Sequence, residues 1–346
     1  MGHSPCLRSI GWSNFFLASV LFHISLVIMI GLMKRILGHS LTFGLVWFVA
    51  CSGYLQGAAI NIVTTTTMIT DTVEQIGGDR VWVEGLMGPG VDPHLYKPAA
   101  SDVLKLSRAK LVFYNGLLLE GKMSDLLDRL NRQGKAVYAV TENIDQSKLL
   151  KPEDIQGHWD PHIWGDPRLW VECVKTITNI LIQKDPSGRQ TYQTNRDAYV
   201  KKLENLMNWG LDQIKGIDPG KRVLVTSHDA FNYFGNTFGL QVVGVQGIST
   251  VAEAPLADII HIVDFIKSKK VPAVFVESSV SPATIKRISE DSGAKIGGEL
   301  FSDALGTIGE MESYKGMKFD LGTYEGWLGH NIATISKALT APDAVD

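Results

Sequence analysis

Cysteine is nearly absent, with Cys6, Cys51 and Cys173 the three in 346 residues. The first two fall in an apolar amino-terminal stretch, so Cys173 stands alone in the body of the chain and no disulfide framework can form within it. A lone cysteine in a mixed apolar, helix-like stretch reads as a small buried side chain. An excess of one charge is also missing. Lys and Arg number 33 against 36 Asp and Glu, a formal net charge of -3, with neither a basic stripe nor an acidic tail, which argues against a nucleic-acid partner. No Gly-x-x-x-x-Gly-Lys-Ser/Thr occurs, so the chain is not an ATPase of that kind, and no His-Glu-x-x-His is present to mark a zinc protease.

Long apolar runs are confined to the first fifty-odd residues, at about 10–32 and 36–50, separated by Met33-Lys34-Arg35. The second run has the anatomy of an export signal: a short basic start, an apolar stretch, then small residues. It ends in Phe48-Val49-Ala50-Cys51, the form of a lipoprotein cleavage box with Phe where Leu is more usual. A cut near Gly57-Ala58-Ala59 competes with lipidation at Cys51. Met33 is an alternative start, and residues 10–32 are long enough to span a bilayer if they are kept. On each of these readings residues 1–59 form a leader. The rest then belongs in the periplasm or on the outer face of the cytoplasmic membrane.

The body exceeds what one hydrophobic core usually organises, and 45% of the chain is hydrophobic. Short β-branched or aromatic runs at 60–66, 81–86, 111–115 and 136–140 alternate with helix-like stretches at 100–109 and 122–132. The pattern restarts at 222–226, 241–245, 273–277 and 295–297, with helices near 254–268 and 282–291. Such alternation predicts α/β architecture, two similar lobes with parallel sheets. Between them, Asp185-Pro186-Ser187 reads as a helix start with Asp185 as N-cap, and Tyr192, Tyr199, Leu203, Leu206, Leu211 and Ile214 recur on one face until Gly216. The expected division is an amino-terminal lobe at 60–184, a linking helix at 185–217 and a carboxy-terminal lobe at 218–346.

Four segments each place one metal-ligand type of side chain beyond a strand: His94 in Val91-Asp92-Pro93-His94, His162 in Asp160-Pro161-His162, His228 in Thr226-Ser227-His228-Asp229, and Asp303 in Phe301-Ser302-Asp303-Ala304. Three imidazoles and a carboxylate complete a shell for a divalent transition metal, and the carboxyl ends of strands are where open α/β sheets bind ligands. Alternatives stay open. His158 stands four residues before His162, although Pro161 argues for an extended turn. Glu277 and Glu299 are alternative carboxylates, and Asp303 could instead cap a helix. Asp92, Asp160 and Asp229 are candidates to orient the three rings. His261 and His330 read as structural or solvated.

The segments Val63-Thr64-Thr65-Thr66, Gly85 to Tyr96, Asn115-Gly116-Leu117-Leu118-Leu119-Glu120, Asp160 to Trp164, Val225 to Phe231 and Gly297 to Leu305 occur in this order over some 280 residues, from Ile60 to about Leu339. Together they resemble the TroA-like zinc/manganese substrate-binding proteins of ABC transporters. That resemblance implies two Rossmann-like lobes on a rigid linking helix with a metal buried between them, and His94, His162, His228 and Asp303 as its ligands. It also implies a monomer that serves an ABC permease and a separate ATPase, held at the membrane through its leader or a lipid anchor, with no catalytic residues. A nitrogen-rich set suits zinc, whereas manganese-selective relatives are expected to carry a second carboxylate at position 228. Zinc-dedicated relatives commonly carry a histidine- and acid-rich loop in the first lobe; residues 118–157 have no histidine, which pulls back toward manganese, with iron(II) as a third candidate. The rival readings are a surface adhesin with a structural metal and a zinc hydrolase, the latter disfavoured by a fourth protein ligand.

Overall fold

In the computed structural model, which describes residues 59–152 and 157–340, the first half is built on one parallel sheet. β1 (Ile60–Thr64), β2 (Val81–Gly85), β3 (Leu111–Tyr114) and β4 (Val137–Ala139) lie in the order β2-β1-β3-β4, with Ile60 beside Val81, Ile62 beside Leu111 and Val112 beside Val137. The chain reverses its direction of travel across the sheet between β2 and β3. The loops after β1, β2 and β3 therefore gather over one carboxyl edge, the place where such sheets take ligands. α1 (Thr67–Gly77), α2 (Ala100–Arg108) and α3 (Ser124–Arg132) follow the first three strands, and the long α4 (Pro167–Lys184) closes this half. The leader expectations, including Cys51 and the apolar run at 10–32, fall outside the described residues. Among the described residues no helix is long and apolar enough to cross a membrane.

The second half repeats the plan. β5 (Val223–His228) pairs with β6 (Gln241–Gln246), β7 (Ala273–Glu277) pairs with β8 (Lys295–Leu300), both in parallel, and β5 lies against β7. α6 (Asn232–Phe238), α7 (Leu256–Lys269) and α8 (Ala283–Ser292) connect them. β8 is not the last strand of this half: an antiparallel hairpin, β9 (Met311–Tyr314) and β10 (Met317–Asp320), precedes the terminal α9 (Tyr324–Thr340).

The predicted connector is present as α5 (Arg189–Lys215), 27 residues entered through a short turn at Pro186–Gly188. Tyr192, Tyr199, Leu203, Leu206 and Ile214 are buried as the spacing requires, whereas Leu211 is half-covered and its neighbour Gly210 is buried instead. A β-carbon at Gly210 would stand 2.3 Å from Ile332 Cδ1, so this mid-helix glycine is what lets α9 pack close against the connector. Asp185 does not cap the helix backbone as its position suggests. Its carboxylate instead accepts from Arg80 Nε at 2.8 Å, Ser187 Oγ and Tyr192 Oη at 2.8 Å, pinning the connector to the end of α1. One apolar core runs from Ile62 and Phe113 in the first half through Tyr199 and Leu203 of α5 to Trp327 and Ile332 of α9. Trp170 of α4 stacks on Tyr324 of α9 at 5.6 Å with the rings 3° from parallel. Halves that share a core in this way cannot swing apart on a flexible strand.

Asp71 of α1 fastens the same junction. It accepts from the Tyr324 amide at 3.0 Å, Tyr199 Oη at 3.3 Å and Gln75 Nε2 at 3.2 Å, and so touches both halves and the connector. Burial outweighs these donors and raises its carboxyl from 3.8 to about 6. Because the folded value lies above the unfolded one, the folded state binds more protons between the two. That stabilisation is fully present below about pH 3.8 and is lost as pH rises through about 6. D71N, which cannot ionise, should therefore gain on wild type by roughly 2 kcal/mol between pH 4 and pH 7, read as the difference in urea-unfolding free energy. A difference that stays flat across that range contradicts the assignment.

Candidate metal centre

Each of the four predicted donors sits at a carboxyl strand end or on the loop that leaves it. His94 lies in the middle of the loop between β2 and α2. His162 lies far beyond β4, immediately before the turn Ile163–Gly165. His228 is the last residue of β5 rather than beyond it, and Asp303 follows β8 in irregular backbone, where it caps no helix. One ligand atom from each falls within 4.8 Å of the others, and all four side chains are buried: His94 is 5% exposed, Asp303 1%, and His162 and His228 0%.

The separations have a chemical scale. His94 Nε2 lies 3.2 Å from His162 Nε2, and His228 Nε2 lies 3.2 Å from Asp303 Oδ2. His162 Nε2 is 3.6 Å from Asp303 Oδ1, and His94 Nε2 is 3.9 Å from Asp303 Oδ2. A tetrahedral shell with bonds of ~2.0–2.1 Å has edges of ~3.3–3.4 Å, which these distances bracket. His228 Nε2 and both Asp303 oxygens have no hydrogen-bond partner among the described residues. Such orphaned buried donors and acceptors are costly in an ordinary core. Here they converge on one point, with both carboxylate oxygens facing it, so a cation could be met through one or both of them.

Carboxylates behind the rings fix their orientation. Asp160 Oδ1 accepts from the Nδ1 of His162 at 2.8 Å and from its backbone amide at 3.0 Å, while Oδ2 accepts from Asn232 of the other half at 3.2 Å. Glu277, at the end of β7, does the same for His228, accepting from Nδ1 at 2.6 Å and from the amide at 2.9 Å. With Nδ1 engaged in this way, Nε2 is the nitrogen of each ring that faces the centre. Asp160 is the partner anticipated from sequence. Glu277 is not among the four converging side chains but supports one of them, and it, rather than Asp229, holds the His228 ring; the Asp229 carboxylate accepts from the Gly244 amide at 3.2 Å. Asp92 supports backbone rather than ring, accepting from the His94 amide at 2.8 Å. Behind Asp303, the indoles of Trp164 and Trp327 both donate to the Ser302 carbonyl, at 3.1 and 3.2 Å, fixing the chain from both halves.

The remaining candidates lie elsewhere. His158, Glu299 and His261 are exposed. His330 stacks on Phe301 at 4.2 Å and bonds Glu312 and the Glu299 carbonyl, a structural tie between α9, β8 and β9.

His94, His228 and Asp303 differ in charge preference. Burial, opposed by Asp303, pushes the His94 imidazole down to about 3, so it is neutral near pH 7. Burial would also lower His228, but Glu277 and then Asp303 outweigh it and hold that ring well above the usual imidazole range. For Asp303 burial would raise the carboxyl, yet the facing imidazoles, His228 foremost, hold it well below the usual carboxylate range. An anion thus sits ready at the centre. E277Q keeps an acceptor for Nδ1 but loses the charge, and should weaken zinc binding by about 10- to 100-fold in chelator competition, with the exposed E299Q as an unaffected control.

These features define a class: a two-lobed α/β protein with metal-type donors buried where two parallel-sheet edges meet. Residues 62–338 match the family model described as zinc-uptake complex component A, periplasmic (ZnuA), and the chain belongs to that family of transporter substrate-binding proteins. It is 43% identical over 285 residues to the manganese-binding lipoprotein MntA of Bacillus subtilis, covering 81% of this chain and 90% of that one. It is 40% identical over 283 residues to the zinc-binding protein TroA of Treponema pallidum, covering 80% and 88%. Among solved structures, the periplasmic zinc-binding protein TroA of Treponema pallidum superposes with a TM-score of 0.77 at 39% identity, over 82% of this chain and all of that one.

Proposed function

We propose that this protein captures a divalent transition-metal ion outside the cytoplasmic membrane and delivers it to an ABC importer, with His94, His162, His228 and Asp303 as the ligands. The observation that carries this is the convergence of four buried donors at metal-shell spacing, two from each half. In this reading residues 60–184 and 218–346 are the two lobes and 185–217 the spacer between them. Imidazole lone pairs and an ionised carboxylate replace the hydration shell of the incoming ion, and no bond of a substrate is made or broken. Four protein ligands leave no position reserved for an activated water, which is what a zinc hydrolase would need. The partners are the permease and its separate ATPase, and the leader places the body in the periplasm or on the membrane's outer face, anchored through lipid at Cys51.

Zinc is the favoured cargo because three of four donors are nitrogen, with manganese the alternative and iron(II) the third. The relatives named above divide in the same way, one called manganese-binding and the other zinc-binding. Metal content of the protein taken from its own cell, followed by zinc–manganese competition, tests the assignment. H228E replaces a nitrogen donor with a harder oxygen and should move the zinc-to-manganese ratio toward manganese by about tenfold or more; an unchanged ratio removes His228 from the ligand set. Protons compete with the ion for imidazole nitrogen, most strongly at His228, whose ring Glu277 and Asp303 hold well above the usual imidazole range, so binding should already weaken as pH falls from 8 toward 5, followed by titration across that range. A surface adhesin with a structural metal would unfold on chelation, whereas a carrier releases its ion and stays folded.

A further inference from the structure

The four donors are not held alike. His162 and His228 are each gripped at Nδ1 by a buried carboxylate, and Asp303 is fixed by two indoles on the preceding carbonyl. His94 has no carboxylate on its second ring nitrogen among the described residues, and it is the one donor of the four with more than 1% exposure. What fixes it is its loop. Asp92 Oδ1 accepts from the His94 amide at 2.8 Å and from the Leu95 amide at 3.4 Å, while Oδ2 accepts from Thr250 Oγ1 at 2.6 Å. Thr250 belongs to the other half, on the loop between β6 and α7, 158 residues away in sequence. The same loop touches that half at a second point: at Gly90, which adopts φ +69°, a β-carbon would lie 3.3 Å from the Ser278 carbonyl. One half-buried carboxylate thus joins the backbone of the most accessible donor to the opposite lobe.

We propose that Asp92 and Thr250 form a cross-cleft latch that positions His94, and that the ion enters and leaves past this residue. The inference rests on the metal-binding reading above and adds an order of events to it. Three donors form a pre-set cup, and the fourth closes over the ion when the two loops engage. Opening the latch frees the loop at 91–95 without disturbing the shared core, so release needs no large rotation of one half on the other. Asp92 and Thr250 are positioning residues, since neither is among the donors at the centre.

T250V removes the hydroxyl with little change of shape, and T250S restores it. Full-length protein loaded with zinc is mixed with excess chromogenic chelator and the release followed by stopped flow. T250V should release zinc about three- to tenfold faster than wild type, the net weight of one ordinary intramolecular hydrogen bond. T250S should return to the wild-type rate. T237V, which removes a remote contact between the halves at Arg168, serves as the control and should release at the wild-type rate. In metal-free T250V the His94 and Leu95 amides should exchange hydrogen faster while the core helices keep their protection, a readout that needs no ion. A T250V release rate within about twofold of wild type, or a fast rate that T250S does not correct, overturns the latch. Wild-type protein that takes up neither zinc nor manganese overturns the metal-binding reading and the latch with it.

Discussion

A carboxylate with 1% exposure and no hydrogen bond to either oxygen would be among the costliest features a fold could carry, and Asp303 is such a group. It is tolerated because three imidazoles face it at 3.2 to 3.9 Å, and much of the surrounding structure holds those imidazoles there. The parallel sheets put strand ends and their loops around one point. Asp160 and Glu277 set the orientation of two rings. Carbonyl acceptance by Ser302 keeps the carboxylate from turning away. Remove the convergence and each of these features becomes an isolated polar group in an apolar interior.

The same arrangement explains why the body is built as two sheets on one continuous core. Donors come from both halves, so any drift between the halves changes the donor spacing directly. A 27-residue connector packed on both sides, with Gly210 allowing close approach of α9 and Asp71 bonding to α1, α5 and α9 at once, suppresses that drift. The stiffness resides in side-chain packing rather than in the helix itself.

Much of this was legible in the sequence because the donors sit where local pattern is strongest. Short β-branched strands mark the elements, the repeated Asp-Pro-His of two loops and the Ser-His that ends β5 mark three of the donors, and the heptad-like face of the connector survives in five of its six positions, with Leu211 giving way to Gly210. What was hidden depends on distance. Glu277 lies 49 residues from His228 and meets it only because β5 and β7 lie side by side, so proximity in sequence pointed to Asp229 instead. α1 was obscured by Thr64-Thr65-Thr66-Thr67, whose β-branched side chains extend the strand pattern past its true end. Asp185 has the residue type of a cap, but Arg80 and Tyr192, brought in by tertiary packing, outcompete the backbone for its oxygens.

The two indoles on the Ser302 carbonyl have an optical consequence. Trp164 and Trp327 are buried next to the acidic donor, and the Trp164 ring meets that of His162 edge-on at 5.2 Å. A cation held among the four donors, as proposed above, would sit close to both chromophores and alter the electric field they experience. On that reading, filling and emptying of the cleft would register in ultraviolet emission from within the protein, without an added dye.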